Sequence, residues 1–427
     1  MPYSPEQILE LALKSGAEAA EVFESQSQSH PVSFEANRLK QLESTEASGL
    51  ALRLWRQGRP GLAIAYGDVE PQALVERAFA LSDLNLPEDI ELSPPQPLPH
   101  PDLGQDVPVE TLLAWGEQSI AQVRQRYPEV LCNAGWDCEA ESTRLINSYG
   151  LDCHYRDTTL SGYLEVEWIR GDDFLVVADG QTARSQLQPE IFVQRILQGL
   201  AWAEEHAEPP APRVPVLLSA KAADLLWGTT YAALNGKQVL EKASPWSEHL
   251  GKMVMAPNLS ISQAPDVGPF NCPFDDEGMP TQPITFIDQG TLCSFYTDRV
   301  TGKALGCGTT GNGFRPDLGA YPTPGLFNVL IQPGQYSLAN LIASMDDGLI
   351  VDQVLGGGAG ISGDFSVNVD LGYRVHQGQV VGRVKDTMLA GNVYTVLKTV
   401  IALGNDSEWN GCCWTPSVLV EGLSVTS

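Results

Sequence analysis

Apolar residues first recur at helical spacing, with Ile8, Leu11 and Ala12 marking one face of a segment that opens Ser4-Pro5-Glu6-Gln7. Ser4 is placed to cap this helix, Pro5 to occupy its first position and Gln7 to close a capping box, and Gly16 offers the stop. Alternation then replaces the helical period over residues 20–67, where Leu50, Leu52 and Leu54 share a side. Gln57-Gly58-Arg59-Pro60-Gly61 reads as the turn between the last two of these strands. A second helix is predicted over Pro71–Ser82, striped by Leu74, Ala78 and Leu81.

Seven prolines lie between Pro87 and Pro108. Proline removes backbone donors and blocks helix, so this stretch is an extended linker or surface strap. A helix from Val109 opens the next unit, which continues in the strands LINSYGLDCHYRDT and SGYLEVEWIR and closes with a helix near Pro189–Glu205. Glu208-Pro209-Pro210-Ala211-Pro212 marks another boundary. Beyond it the pattern predicts one helix over Lys221–Leu240, many short β-like runs, a hairpin turn at His376-Gln377-Gly378-Gln379 and a late helix around Tyr394–Ala402. No internal repeat is visible. The expected fold class is α+β: an N-terminal mixed α/β region with mainly antiparallel strands and helices, followed by a β-rich C-terminal domain with few helices. Its parts are an N-terminal α/β segment (1–86), a Pro-rich linker (87–108), a middle α/β segment (109–208) and the C-terminal domain (209–427).

Length changes this picture little, since 427 residues exceed what one hydrophobic core accommodates. Charge changes it more. With 26 Lys and Arg against 53 Asp and Glu, the formal charge is −27, which repels a phosphate backbone and argues against direct nucleic-acid binding. No apolar run reaches bilayer-spanning length, and the first residues lack the basic-then-apolar order of a secretory signal. The expected location is therefore cytoplasmic, with the eight Cys reduced and mostly buried.

Chemistry is hard to find locally. Gly358-x-Gly360-x-x-Gly363 has the spacing of a dinucleotide fingerprint, but an alternating strand follows it where a phosphate-binding helix is required. The three glycines are expected instead to permit a backbone turn, through positive φ or close packing. The six His are isolated, and Asp275-Asp276-Glu277 lacks the alternating ligands of a calcium loop, so it reads as a solvated acidic turn. No Gly-x-Ser-x-Gly elbow occurs, and Cys412-Cys413 has no neighbouring base in sequence to lower a thiol pKa.

Several segments, taken together and in order, resemble the TldD/PmbA family, the modulators of DNA gyrase. They are PFDDEGMPTQPITFIDQGTLCSFYTDRVTGKALGCGTTGNG, then GGGAGISGDFSVNVDLGYRVHQGQVVGRVKDTMLAGNVYTVLKTVIALGND, with weaker matches at LINSYG and SFEANRLKQLESTEASGLALRLW. The resemblance implies a protein of peptide or unfolded-protein proteolysis. In that family the TldD branch carries a zinc-binding His-Glu-x-x-x-His helix and a C-terminal Cys. The PmbA branch, also called TldE, lacks the motif and pairs with TldD.

In this chain the matching helix is SAKAADLLWGTTYAALNGKQVL, which places Trp227, Gly228 and Ala232 at the motif positions. Indole, hydrogen and methyl can neither bind Zn²⁺ nor take a proton from its water. The resemblance thus implies a PmbA/TldE-like, non-catalytic subunit with no cofactor of its own, the zinc residing on a TldD-like partner. A homodimer is the alternative assembly, and extended or unfolded peptides the expected ligands. Thr310, Gly311, Asn312, Gly363, Asp364, Phe365, Ser366 and Cys413 are the candidates for the peptide channel or the subunit interface. The competing reading is a stand-alone hydrolase whose site gathers distant residues such as Asp364, Asp386 and Cys413.

Overall fold

The computed structural model describes residues 4–68 and 70–426, so Val69 and the outermost ends of the 1–86 and 209–427 segments lie outside it. Helix α1 (Pro5–Lys14) begins as its sequence dictates. The Ser4 side chain accepts from Gln7 N while the Gln7 side chain accepts from Ser4 N. Then come β1 (Ala19–Ser29), β2 (Val32–Glu35), β3 (Arg38–Leu42), β4 (Thr45–Arg56), β5 (Arg59–Tyr66) and α2 (Pro71–Ser82). The β4–β5 turn is confined to Gln57 and Gly58, both at positive φ, as a two-residue hairpin requires. Arg59, Pro60 and Gly61 belong to β5 instead of the turn. Pro60 is tolerated there because β5 pairs with β4 alone.

After the strap come β6 (Asp102–Leu103), α3 (Val109–Arg126), β7 (Leu131–Asn147), β8 (Asp152–Arg170), β9 (Asp173–Ala183) and α4 (Pro189–Trp202). The long β7 joins the two halves of this region. One of its edges pairs with β2 (Phe34 opposite Ala134) and then with β1 (Glu21 opposite Asn147), and the other pairs with β8. Segments 1–86 and 109–208 therefore share one nine-stranded sheet. The strap crosses it and reaches the C-terminal domain: Leu92 and Leu98 are buried, and Ser93 Oγ and Gln96 Nε2 donate to the carbonyls of Glu277 and Gly278.

The C-terminal region opens with β10 (Val216–Leu218), α5 (Asp224–Leu234), α6 (Gly236–Leu240), β11 (Ile261–Gln263), β12 (Ile284–Asp288) and β13 (Thr291–Leu292). It continues with α7 (Arg299–Leu305), β14 (Gly313–Phe314), β15 (Thr323–Pro324), β16 (Val329–Ile331), α8 (Leu338–Ala343), β17 (Asp347–Leu355) and β18 (Asp364–His376). The last elements are β19 (Gln379–Arg383), β20 (Thr387–Asn392), α9 (Val393–Val396), β21 (Val400–Leu403), β22 (Glu408–Asn410), β23 (Cys413–Thr415), β24 (Val418–Val420) and β25 (Ser424–Thr426). An eight-stranded sheet runs β21-β24-β10-β17-β18-β20-β25 with β19 on β18, and a six-stranded sheet runs β13-β12-β11-β16-β23-β22. Alternation gives the eight-stranded sheet two buried faces. Val216, Leu218, Leu349 and Val351 join the C-terminal core around α5, while Leu217 and Ile350 join the core under α4 and the first sheet.

Two helices differ from the sequence pattern, and in both cases a distant contact decides. The Lys221–Leu240 helix is two helices, broken at Asn235, whose backbone is extended and whose side chain caps α6 by accepting from Lys237 N at 2.9 Å. Gly236 packs so tightly on Tyr296 and Thr297 that a Cβ would come within 2.6 Å of Thr297. The late helix is only α9; Val400–Leu403 forms β21, paired with β24. Thr399 ends the helix, its hydroxyl within hydrogen-bonding distance of the carbonyls of Val396 and Glu421, and the β-branched Val400 and Ile401 suit a strand.

Candidate functional site

Helix α5 holds the three motif positions. Leu225, Leu226, Trp227, Thr229, Thr230, Ala233 and Leu234 are buried, while Asp224 and Gly228 are exposed and Tyr231 and Ala232 half-buried, so Asp224, Gly228 and Ala232, spaced i, i+4, i+8, share one outer stripe. Gly228 meets no atom where a side chain would begin. Trp227 points the other way: it is fully buried, and its Nε1 donates to Thr415 Oγ1 at 2.8 Å. The family's zinc does not fit these residues, since two of the three positions on α5 have no donor and the third is pinned in the core.

Two segments are tied to this helix and its lead-in. The glycine-rich loop 356–363 is held where Thr229 Oγ1 donates to Ala359 O at 2.9 Å. The β22–β23 hairpin is held where Asn410 Nδ2 donates to Lys221 O at 3.3 Å. Cys413 is buried beside the Tyr231 hydroxyl, and burial pushes its thiol up to about 12, outweighing that hydroxyl. It stays protonated and is a poor nucleophile. Cys412 is half-buried, and burial raises its thiol too.

The other candidates are dispersed. Gly363 sits at φ +83 with Tyr394 against it, and a Cβ there would come within 2.7 Å of the ring. Gly358 and Gly360 have neither positive φ nor close neighbours, so the turn is made by Gly356 and Gly363 and the expectation fails for the middle glycines. Asp364 Oδ1 accepts from Asn392 Nδ2 at 2.9 Å, Phe365 enters the core, and Ser366 is exposed. Thr310, Gly311 and Asn312 tie loops together: Thr297 N donates to Thr310 Oγ1 at 2.7 Å, and Asn312 Nδ2 donates to Gln263 Oε1 and Gly325 O, both at 2.7 Å. Asp364, Asp386 and Cys413 do not converge. In the β18–β20 register Asp364 lies opposite Asn392 and Val369 opposite Thr387, next to Asp386. That separates the two carboxylates by roughly 20 Å along the strand, and Cys413 lies in the other sheet.

The acidic turn is the largest departure from expectation. Asp275 is fully buried, its carboxylate accepting from the backbone N–H of Glu277, Met279 and Gly313. Burial raises Asp276 to about 6 and Glu277 to about 7, against backbone donors at Arg315 and Arg299. Next to them Glu21, buried on β1, pairs with Arg53 at 2.9 Å and Arg315 at 2.8 Å. This ion network locks the first sheet to the C-terminal domain. A single Glu inside the apolar run Ala19-Ala20-Glu21-Val22-Phe23 is its only sequence signal, since the partners come from distant loops.

A family model described as the PmbA/TldA metallopeptidase C-terminal domain matches residues 211–427, and one described as PmbA/TldA metallopeptidase domain 1 matches residues 20–82. The chain is 26% identical over 442 residues to the metalloprotease PmbA homologue of Haemophilus influenzae, covering 98% of this chain and 94% of that protein. It is 28% identical over 244 residues to the metalloprotease TldD homologue of the same organism, covering 56% of this chain and 49% of that one. Its fold is that of TldE from Thermococcus kodakarensis, with a TM-score of 0.92, 22% identity and 99% of both chains covered.

Proposed function

The chain belongs to the PmbA/TldD metallopeptidase family, and from that premise we propose that it is a metal-free, peptide-handling subunit working with a zinc-bearing TldD-type partner. One observation carries this reading: at the motif positions of α5, Gly228 and Ala232 offer hydrogen and methyl, and Trp227 fills the core where a first ligand is needed. Open strand edges support the same role, since an edge can pair with peptide backbone irrespective of sequence. The −27 charge argues against direct nucleic-acid contact. Among the described residues no helix is long and apolar enough to cross a membrane, and the proposed location is the cytoplasm.

The test is purification with and without a co-expressed TldD-type paralogue carrying the His-Glu-x-x-x-His helix. A stoichiometric complex with zinc confined to the paralogue is expected. Failure to associate, or one tightly held zinc per copy of this chain alone, overturns the proposal.

A further inference from the structure

Where β9, α4 and the start of the C-terminal domain meet lies a cavity of about 130 Å³, open on one side. One water needs roughly 10–15 Å³ of such space, so the cavity accepts a ligand with several heavy atoms. Ile196, Leu217, Ile350 and the ring of Tyr373 give it an apolar lining. Six charged side chains from separate parts of the fold also face it: Asp179 on β9, Arg195 on α4, Lys221 before α5, Asp352 on β17, Asp406 before β22 and Glu408 on β22.

These charges pair with one another, but carboxylates outnumber cations. Asp179, whose side chain is 4% exposed, lies 2.9 Å from Arg195 Nε and 3.8 Å from Lys221 Nζ. Lys221 Nζ lies 2.7 Å from Asp352, and Arg195 also pairs with Glu408. A further carboxylate, Asp406, accepts from Ser417 Oγ at 2.7 Å. Four carboxylates thus face two cations. Uncompensated negative charge beside an apolar surface is costly, and a cation bearing an apolar group relieves it. A hydrated divalent ion suits the lining less, because it demands oxygen on all sides. Burial acts in the same sense, raising Asp179.

We propose that this cavity binds an α-ammonium group carrying an apolar side chain, the ammonium among the carboxylates and the side chain on the Ile196–Leu217–Ile350 surface. A second, more open cavity shares Asp179, Lys221 and Glu408 and extends along Gly180–Thr182 to Trp409 and Gly411. β9 pairs with β8 alone among the described strands, and side chains bond its backbone, Lys221 Nζ donating to Ala178 O at 2.9 Å and Arg383 Nη2 to Phe174 O at 3.3 Å. A peptide whose N-terminus occupies the first cavity has the second cavity as its route towards the β22–β23 hairpin. The inference rests on the peptide-handling reading only for the source of the ligand, and its test needs no partner subunit. Association with a paralogue can therefore fail while this binding stands, and the reverse.

The test is isothermal titration calorimetry of the full chain with leucinamide, Leu-Gly-Gly, leucine and N-acetyl-leucinamide. Leucinamide and Leu-Gly-Gly are expected to bind, and N-acetyl-leucinamide, which lacks the ammonium, to bind about tenfold more weakly or worse, a loss of ~1.4 kcal/mol. Tighter binding of Leu-Gly-Gly than of leucine assigns the site to peptides, and the reverse order assigns it to free amino acids. Asp179→Asn should weaken leucinamide at least roughly tenfold. Leu338→Trp, which narrows the cavity from the half-buried α8, should do the same without touching a charge and serves if Asp179→Asn fails to fold. Equal affinity for the acetylated probe, no heat with any probe at millimolar concentration, or unchanged binding in folded variants overturns the proposal.

Discussion

Glycine spacing in sequence does not say which glycine is needed. Gly363 combines φ +83 with a Tyr394 ring 2.7 Å from its absent Cβ, whereas Gly360 has open space and an ordinary backbone. Gly363→Val should therefore cost at least ~1 kcal/mol and Gly360→Val nearly nothing, as thermal unfolding of the two variants will show. Comparable losses would place the constraint elsewhere in the loop. The acidic turn makes a second prediction at this scale. An unfolded carboxylate titrates near pH ~4, while Asp276 and Glu277 titrate at about 6 and about 7 in the fold. The native state holds the extra protons, so the stability they contribute is full below pH ~4 and is lost as pH rises through about 6 and about 7. Glu277→Gln should flatten the fall in stability as pH rises from mildly acidic to neutral, read from denaturant midpoints. An unchanged slope would mean that Glu277 is ionised throughout.

At the scale of elements, local chemistry was readable and tertiary decisions were not. The α1 capping box and the His376–Gln379 hairpin turn each rest on a few neighbouring residues and form where the pattern puts them, and the turn expected over Gln57–Gly61 closes within its first two residues. The break at Asn235 depends on Tyr296 and Thr297, and β21 depends on β24, partners that periodicity within one window cannot reveal. The acidic turn misleads for the same reason: Asp275-Asp276-Glu277 is polar in sequence and is buried only because backbone donors from residues 313 and 315 surround it. The degenerate motif was legible as lost donors, but the phase of α5 was not. Because Trp227 faces Thr415, the triple change Trp227→His, Gly228→Glu and Ala232→His should not create a tight zinc site, the first imidazole being directed into the core. Elemental analysis after dialysis should find well under one zinc per chain. A full equivalent would show that α5 can rotate to bring position 227 onto its outer stripe.

For the whole molecule, composition set the class and topology supplied the rest. β7 builds residues from both sides of the Pro-rich strap into one sheet, and the Glu21–Arg53–Arg315 network fastens that sheet to the C-terminal domain. None of those pairings is written in a local motif. The resulting body presents a helix whose motif positions, Trp227, Gly228 and Ala232, hold no metal-binding side chain. The most direct measurement is peptide hydrolysis by this chain alone, by a TldD-type paralogue alone and by the two mixed. The account predicts that zinc-dependent cleavage requires the paralogue, rises when this chain is added, and vanishes when the paralogue's motif Glu is replaced, because that removes the proton acceptor for metal-bound water. Chelator-insensitive hydrolysis by this chain alone, lost in Cys413→Ala, would contradict it.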